Sequence, residues 1–451
     1  MLFNSHIFFI LFLPITFVVF EYAKPSMRLV ILCIASSMFY AFAGIKPFLF
    51  MIISVIWVYG ITALPERFSV KIRISLAVAV PLLTLFLFRY LDFTISHFEP
   101  SQEIRQAFSF FLNVLVPAGI SFYTLQLIGY AVDVISGRIP RERSIIKLFT
   151  FISFFPQLIA GPIVRYHDVS GQYDHIATLK SPNRDFLGAF KYLSIGLVYK
   201  VFLADILSVI HAKFILGDNT SVADALISIF SYSFQIYYDF WGYSMIAIGL
   251  GKLFGIELPR NFLTPYVSKN PKEFWRRWHI TLSQWLRDYI YLALGGNRKY
   301  LRNILIVFAG CGLWHGASWS FIVWGLYHAA LVIGYRLTKR WWDVLPSGVQ
   351  ILLCFIFVSF GWPLFYTDFS GYLMLLETVF MPVNWKPFIY GWLDIPYVVM
   401  VFFWTFLPAI KFPSFHRFLN WVVSMAPAQA IMIVAAIMSF YATKTFIYFR
   451  F

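Results

Sequence analysis

The sequence is short of charge. Asp, Glu, Lys and Arg make up 13% of its 451 residues, about half the roughly 25% of a soluble domain. With 60% of residues hydrophobic, no water-soluble surface can be assembled from this mixture. Cysteine is also scarce. Cys33, Cys311 and Cys354 lie in apolar runs without CxxC or metal-ligand spacing. That excludes a disulfide framework and argues against structural zinc, so no metal is expected. There is no HExxH, no P-loop, no GxGxxG in strand context and no GxSxG elbow. Metalloprotease, nucleotide-phosphate, dinucleotide and nucleophile-elbow chemistries therefore have no anchor here. Internal repeats, low-complexity tracts and soluble domains are likewise missing.

What remains is a succession of apolar segments of membrane-spanning length. They run over about 6–23, 28–43, 46–63, 74–91, 107–135, 186–211, 221–251, 304–335, 350–366, 391–410 and 427–443. The pattern predicts an all-α polytopic membrane protein with about 11–13 transmembrane or re-entrant helices. The first run, His6–Phe20, has no basic region before it and no small-residue cleavage site, and reads as a span. Segment 148–164 is less regular. Pro156, Gly161 and Pro162 interrupt it, which predicts a re-entrant element shielded by protein.

The net charge of +15 reads as the basic loops of a membrane protein and not as a nucleic-acid surface. Four loops carry it: Arg67, Lys71 and Arg73; Arg138, Arg141, Arg143 and Lys147; the block Lys252–Arg302; and Arg336, Lys339 and Arg340. The positive-inside rule places all four in the cytoplasm. An even number of crossings must then separate each pair. Segment 148–164 therefore does not cross, and segment 304–335 enters and returns as a broken pair.

Residues 259–303 break the apolar pattern. Within them Trp275, Trp278, Leu282, Trp285 and Tyr289 recur at the spacing of one helix stripe. Arg276, Ser283 and Arg287 recur on another face of that helix. Asn270-Pro271 predicts its start and Gly295-Gly296 its stop. An interfacial amphipathic helix accounts for the pattern. His279 lies beside the stripe. His315 follows Leu305 by ten positions, or ~15 Å of helix, which puts it near the midplane of a ~30 Å hydrocarbon core. Ionisable groups at that depth are costly and usually functional. A packing histidine bonded to a carbonyl is the other reading. Gly310, Gly312 and Gly316 surround it and would let a backbone or a ligand approach. A buried neutral imidazole is suited to take a proton from an alcohol attacking a thioester.

Phe274–His279 (FWRRWH), Leu286–Tyr289 (LRDY), Gly295–Arg298 (GGNR) and Leu313–Gly316 (LWHG) resemble the membrane-bound O-acyltransferase superfamily. The branch resembled is that of the alginate and peptidoglycan O-acetyltransferases, with teichoic acid D-alanyl transferases more distant. The likeness extends over MLFNSHIFFILFLP, VPAGISFYTLQ, FFPQLIAGPI, QIYYDFWGYSMIAIG and the final FIYFRF. The resemblance implies a single membrane domain, 1–451, with a catalytic core over 107–335. The basic block 259–303 would face the cytoplasm, and C-terminal helices and the tail would occupy 350–451. It implies a helix ring around a thinned centre, with funnels from both faces meeting at His315 as catalytic residue and His279 as its support. Trp278, Ser283, Asp288, Asp239 and Trp314, with Arg276, Arg277 and Arg287, are expected to line the donor path or tunnel. The arginines would attract the phosphates of a donor, acetyl-CoA; snorkelling or lipid-phosphate contacts would use them equally well. Relatives usually carry a small residue at Trp241 and an Asp at Met245, so the indole is expected to narrow the tunnel beside Asp239. In this branch a C-terminal FIYxxF motif implies an acyl-carrier role for Tyr448; an interfacial aromatic anchor is the plainer reading.

The expected activity is O-acylation, most simply acetylation. The acyl group would pass from a cytoplasmic donor across a bacterial inner membrane to an extracytoplasmic polysaccharide. A partner acyltransferase outside the membrane is implied, along with contacts to membrane lipids. A protein- or lipid-directed enzyme of the same superfamily and a transporter or flippase without chemistry are the alternatives. A transporter would be expected to show repeats and paired broken helices.

Overall fold

A computed structural model describes residues 3, 5–42, 44–98, 119–159, 161–178, 184–213, 221–381, 394–409 and 413–440, with isolated positions between 102 and 111. The described regular elements are all helices, and the chain is a polytopic membrane protein. Four helices are long and apolar enough to span by themselves: Val70–His97, Phe186–Lys213, Trp319–Trp342 and Ser347–Phe365. Shorter apolar helices include Ile7–Tyr22, Pro25–Ala41, Ile45–Ile61, Ile120–Ile135, Asp394–Ala409 and Ala426–Met438. Apolar side chains such as Ile10, Ile15, Met38, Ile53 and Ile56 point outward. Such surfaces suit lipid and not water. The helices Phe369–Phe380 and Pro413–Val422 were not distinguished by apolar runs. Tyr448 lies outside the described residues.

The chain forms two compact units. The first comprises Met1–Leu193 and Ser244–Pro259. Its helices pack around phenylalanines: Phe39 and Phe155 meet at 5.7 Å, Phe155 and Phe254 at 5.6 Å, and Phe20 and Phe254 at 5.2 Å. The irregular segment is broken as expected. Helix Ile145–Ser153 ends at Phe154, and a single turn, Phe155–Leu158, carries Pro156 near its start. Ser36 Oγ accepts from the Phe155 N–H at 3.2 Å, satisfying a donor that the break would orphan. Gly119, at φ 77°, lets the next helix approach: a β carbon there would sit 2.2 Å from the Leu158 carbonyl oxygen. Lys147 joins Asp174 at 2.7 Å and Glu142 at 3.3 Å, while the Tyr166 hydroxyl donates to Glu142. Burial alone would raise the Glu142 pKa; bonds from Tyr166 and the Ser144 N–H, with the Lys147 charge, outweigh it and hold the carboxyl below its usual range.

The second unit comprises Ser194–Tyr243 and Arg260–Phe451. Its core is aromatic. Trp278 meets Trp362 at 4.8 Å, Tyr266 meets Phe355 at 5.1 Å, and Tyr237 meets Tyr266 at 5.0 Å. Segment 304–335 is the predicted broken pair: helices Tyr300–His315 and Trp319–Trp342 form an antiparallel hairpin. Two glycines interlock its arms. A β carbon on Gly312 would lie 2.1 Å from the Phe321 carbonyl oxygen, and one on Gly325 2.1 Å from that of Phe308. Gly316 likewise abuts the Phe321 ring. Gly310 departs from the expectation, because no atom lies within 4 Å of a β carbon there. It faces away from the packed arm.

Candidate active site

The basic block is not one continuous helix. Asn270 starts it as expected: its side chain accepts from the Glu273 N–H at 2.9 Å, and Glu273 reaches back to the Lys269 N–H at 2.9 Å. This variant of a capping box, with Glu273 reaching the residue before the cap, begins helix Pro271–Arg277. The helix then stops. His279 adopts φ 42°, ψ 55°, left-handed geometry that a side chain with a β carbon takes only when held. A second helix, Ile280–Leu286, follows and widens into a π-type turn at Arg287–Tyr291. The expected single stripe from Trp275 to Tyr289 is therefore corrected. Arg276 is not a helical neighbour of Ser283 or Arg287, because the break intervenes. The stop signal holds, with Gly295 and Gly296 at φ 93° and 56°.

Asn261 holds the break. Its carbonyl accepts from the Ile280 N–H at 2.9 Å. Its side-chain Oδ1 accepts from the Thr281 N–H at 3.3 Å and the Thr281 hydroxyl at 3.0 Å, and lies 3.1 Å from His279 Nδ1. A backbone N–H can only donate, so the atom facing Thr281 is the amide oxygen. His279 Nδ1 must then be the protonated nitrogen and Nε2 the basic one. Asn261 thus fixes both the backbone and the tautomer. Burial pushes the His279 pKa down to about 3, so the imidazole is neutral at physiological pH. Sequence reasoning missed Asn261. An Asn among apolar residues in PRNFL was the available signal, and nothing local tied it to a histidine 18 positions on.

His315 is the last residue of its helical arm, with Gly316 extended beyond it. Both histidines are buried. Their ring centroids are 6.5 Å apart at 62°, beyond direct hydrogen bonding. Trp314 bridges them at 5.6 Å from His279 and 4.9 Å from His315. Phe240 closes over His279 at 4.7 Å; Trp324 and Phe365 wall His315 at 5.0 and 5.3 Å. Two residues 36 positions apart in sequence are thus brought into one aromatic chamber.

The remaining expected residues separate into groups. Trp278 is buried in the aromatic core, and its carbonyl accepts from Ser283 Oγ at 3.4 Å. Arg277 pairs with Glu273 at 2.7 Å, and Arg287 with Asp288 at 2.6 Å, while Arg276 is exposed. Asp239 joins a different cluster. It takes Lys200 at 2.6 Å, and Lys200 also meets Asp205 at 2.7 Å. Trp241 stacks among Tyr199 and Tyr237, at 4.8 and 5.0 Å. A second buried polar cluster, Lys200–Asp205–Asp239, therefore accompanies the histidines. Its signal was present as three ionisable residues inside apolar spans, of which only Asp239 was singled out.

A model of the membrane-bound O-acyltransferase family matches residues 138–375, which include both histidines. The probable alginate O-acetylase AlgI of Pseudomonas aeruginosa is 35% identical over 384 residues, covering 81% of this chain and 72% of the relative. The peptidoglycan O-acetyltransferase of Helicobacter pylori is 35% identical over 417 residues, covering 81% and 77%. The teichoic acid D-alanyltransferase of Bacillus subtilis is 31% identical over 342 residues, covering 70% and 83%. A chamber of buried imidazoles in a spanning helical protein, and similarity over most of the chain, lead to one assignment: this chain belongs to the membrane-bound O-acyltransferase family and is a membrane O-acyltransferase.

Proposed function

We propose that the chain transfers an acetyl group from a cytoplasmic thioester, acetyl-CoA, across a bacterial inner membrane, for O-acetylation of an extracytoplasmic polysaccharide. The observation that carries this reading is the pair of buried imidazoles 6.5 Å apart. The names of the relatives in Pseudomonas aeruginosa and Helicobacter pylori favour acetyl and a polysaccharide.

In this reading His315 is the general base. It takes the proton of the acceptor hydroxyl as that oxygen attacks the thioester carbonyl carbon. The C–S bond breaks, and the proton returns from His315 to the departing thiolate. His279, held with Nε2 as its basic nitrogen, orients the reacting oxygen. The aromatic walls exclude water, which would otherwise hydrolyse the thioester. Arg276, exposed at the basic block, leads the donor's phosphates in; Arg277 and Arg287 assist only as far as their acidic neighbours allow.

Tyr448 is the first acceptor in this scheme. Its phenol loses a proton to His315 and becomes an aryl ester. That ester gives its acetyl group to a sugar hydroxyl on an extracytoplasmic partner, regenerating the phenol. Tyr448→Phe keeps the ring and removes the hydroxyl. Loss of polymer acetylation at normal protein level is expected, and full acetylation would rule the carrier out. For the function as a whole, polysaccharide from a strain lacking this protein should have lost ester-linked acetyl groups. Unchanged ester content would refute it.

A further inference from the structure

A third buried histidine stands one helical turn beyond Trp324. His328 is enclosed by Trp324 at 4.8 Å, Trp275 at 5.2 Å, Tyr327 at 5.7 Å, Trp362 at 6.1 Å and Phe274 at 6.2 Å. Neither of its ring nitrogens makes a hydrogen bond to a described residue. The same is true of the indole nitrogens of Trp275 and Trp324, whose rings meet at 5.8 Å. The neighbouring Tyr327 hydroxyl is committed to the Phe357 carbonyl at 2.6 Å. Four buried polar atoms on three touching rings are thus without partners among the described residues. Buried polar groups are nearly always paired, and phenylalanines would fill this space without the penalty. Space beside the imidazole is tight at 361: a β carbon on Gly361 would come within 3.2 Å of His328 Nε2.

The chemistry of the lining defines what fits. Two indole N–H groups can only donate; a neutral imidazole donates once and accepts once. A neutral oxygen acceptor with an N–H beside it, such as a secondary amide, matches this set, and so does water. Along the Trp319–Trp342 helix His328 lies between Trp324, which touches His315, and the basic end at Arg336, Lys339 and Arg340. In the topology proposed above, that is the donor side.

We infer that Trp275, Trp324 and His328 form a hydrogen-bonding subsite on the donor side of His315 for a neutral amide of the acyl donor's arm, or for a water in the same place. The inference rests on the cytoplasmic thioester donor proposed above. The test uses the purified full-length protein in lipid nanodiscs. Two probes are compared: an acetyl-CoA analogue with CH2 in place of the thioester sulfur, and the same analogue with its nearest amide replaced by an alkyl link.

Removing the amide should weaken binding to wild type about three- to tenfold and cost nothing in His328→Phe or Trp324→Phe. His328→Asn, which keeps a donor and an acceptor, should recover part of the discrimination. If amide removal is harmless to wild type but His328→Phe raises the melting temperature, water occupies the subsite. Wild type that discriminates no better than the variants, with all melting temperatures equal, overturns the subsite. Wild type that binds neither probe overturns the donor reading and the subsite with it.

Discussion

The second unit buries two polar clusters by opposite means. Lys200 lies between two carboxyls, 2.7 Å from Asp205 and 2.6 Å from Asp239. Burial holds His279 neutral, and both it and His315 are walled by rings. Charge at such depth is tolerable only in pairs, since an isolated ion costs several kcal/mol. A base that must accept and release protons cannot be locked in an ion pair. The cluster joins the Phe186–Lys213 helix to the Val222–Leu253 helix, where Gly242 allows contact: a β carbon there would meet the Gly196 carbonyl at 2.8 Å. In the function proposed above, one cluster serves the fold and the other the chemistry, and substitutions should separate them.

The widest separation is expected at His315 and Lys200. His315→Ala should lower acyl transfer by roughly 10²–10⁴, the contribution of a positioned base, with normal insertion and melting temperature. Lys200→Met should do the reverse, with folded protein lost by about 3–5 kcal/mol. Adding Asp205→Asn and Asp239→Asn should restore much of it. Yield and thermal melting of detergent-solubilised protein, alongside transfer assays, decide the matter. Equal loss of folding in both variants would erase the distinction.

Asn261→Ala tests the border between the two. It strips the acceptor from Thr281 and His279, and should destabilise by about 1–3 kcal/mol per orphaned buried donor. It should also lower transfer, because His279 loses its preferred tautomer. An unaltered transfer rate in the folded fraction would show that the tautomer is immaterial.

His279 also carries a pH response. The unfolded chain protonates His279 near 6.5, while the folded one resists until about 3. Acid therefore favours unfolding between those values, by up to about 1.4 kcal/mol per pH unit. Above 6.5 the term vanishes. Melting temperature should drop between pH 7 and 5, and the drop should shrink in His279→Asn. An undiminished drop would assign the effect to other groups.

The smallest effects concern the hairpin glycines. Gly312→Ala should overpack the arm by about 1–3 kcal/mol. Gly310→Ala, into open space, should be neutral or mildly stabilising through helix propensity. Equal melting shifts for the two would contradict the interlock.

The sequence made the helical membrane class legible, because composition alone excludes a soluble surface. Motif spacing located both histidines, and charge counting required the return at 304–335 that the hairpin provides. The break at His279 was illegible. Trp275, Trp278, Leu282, Trp285 and Tyr289 keep a perfect helical period through it, and the bonds that enforce it come from Asn261, outside any helical window. The Lys200 cluster was missed for a related reason: its members lie on two helices, and Lys200 stands alone among apolar neighbours in the sequence.

His279 leaves one more consequence. A position with φ near 42° is most readily filled by glycine or asparagine. A library selected for folding alone should drift toward those residues at 279, while one selected for polymer acylation should return to histidine. The gap between the two outcomes would measure, in population frequencies, how much stability this enzyme forgoes to keep an imidazole in that place.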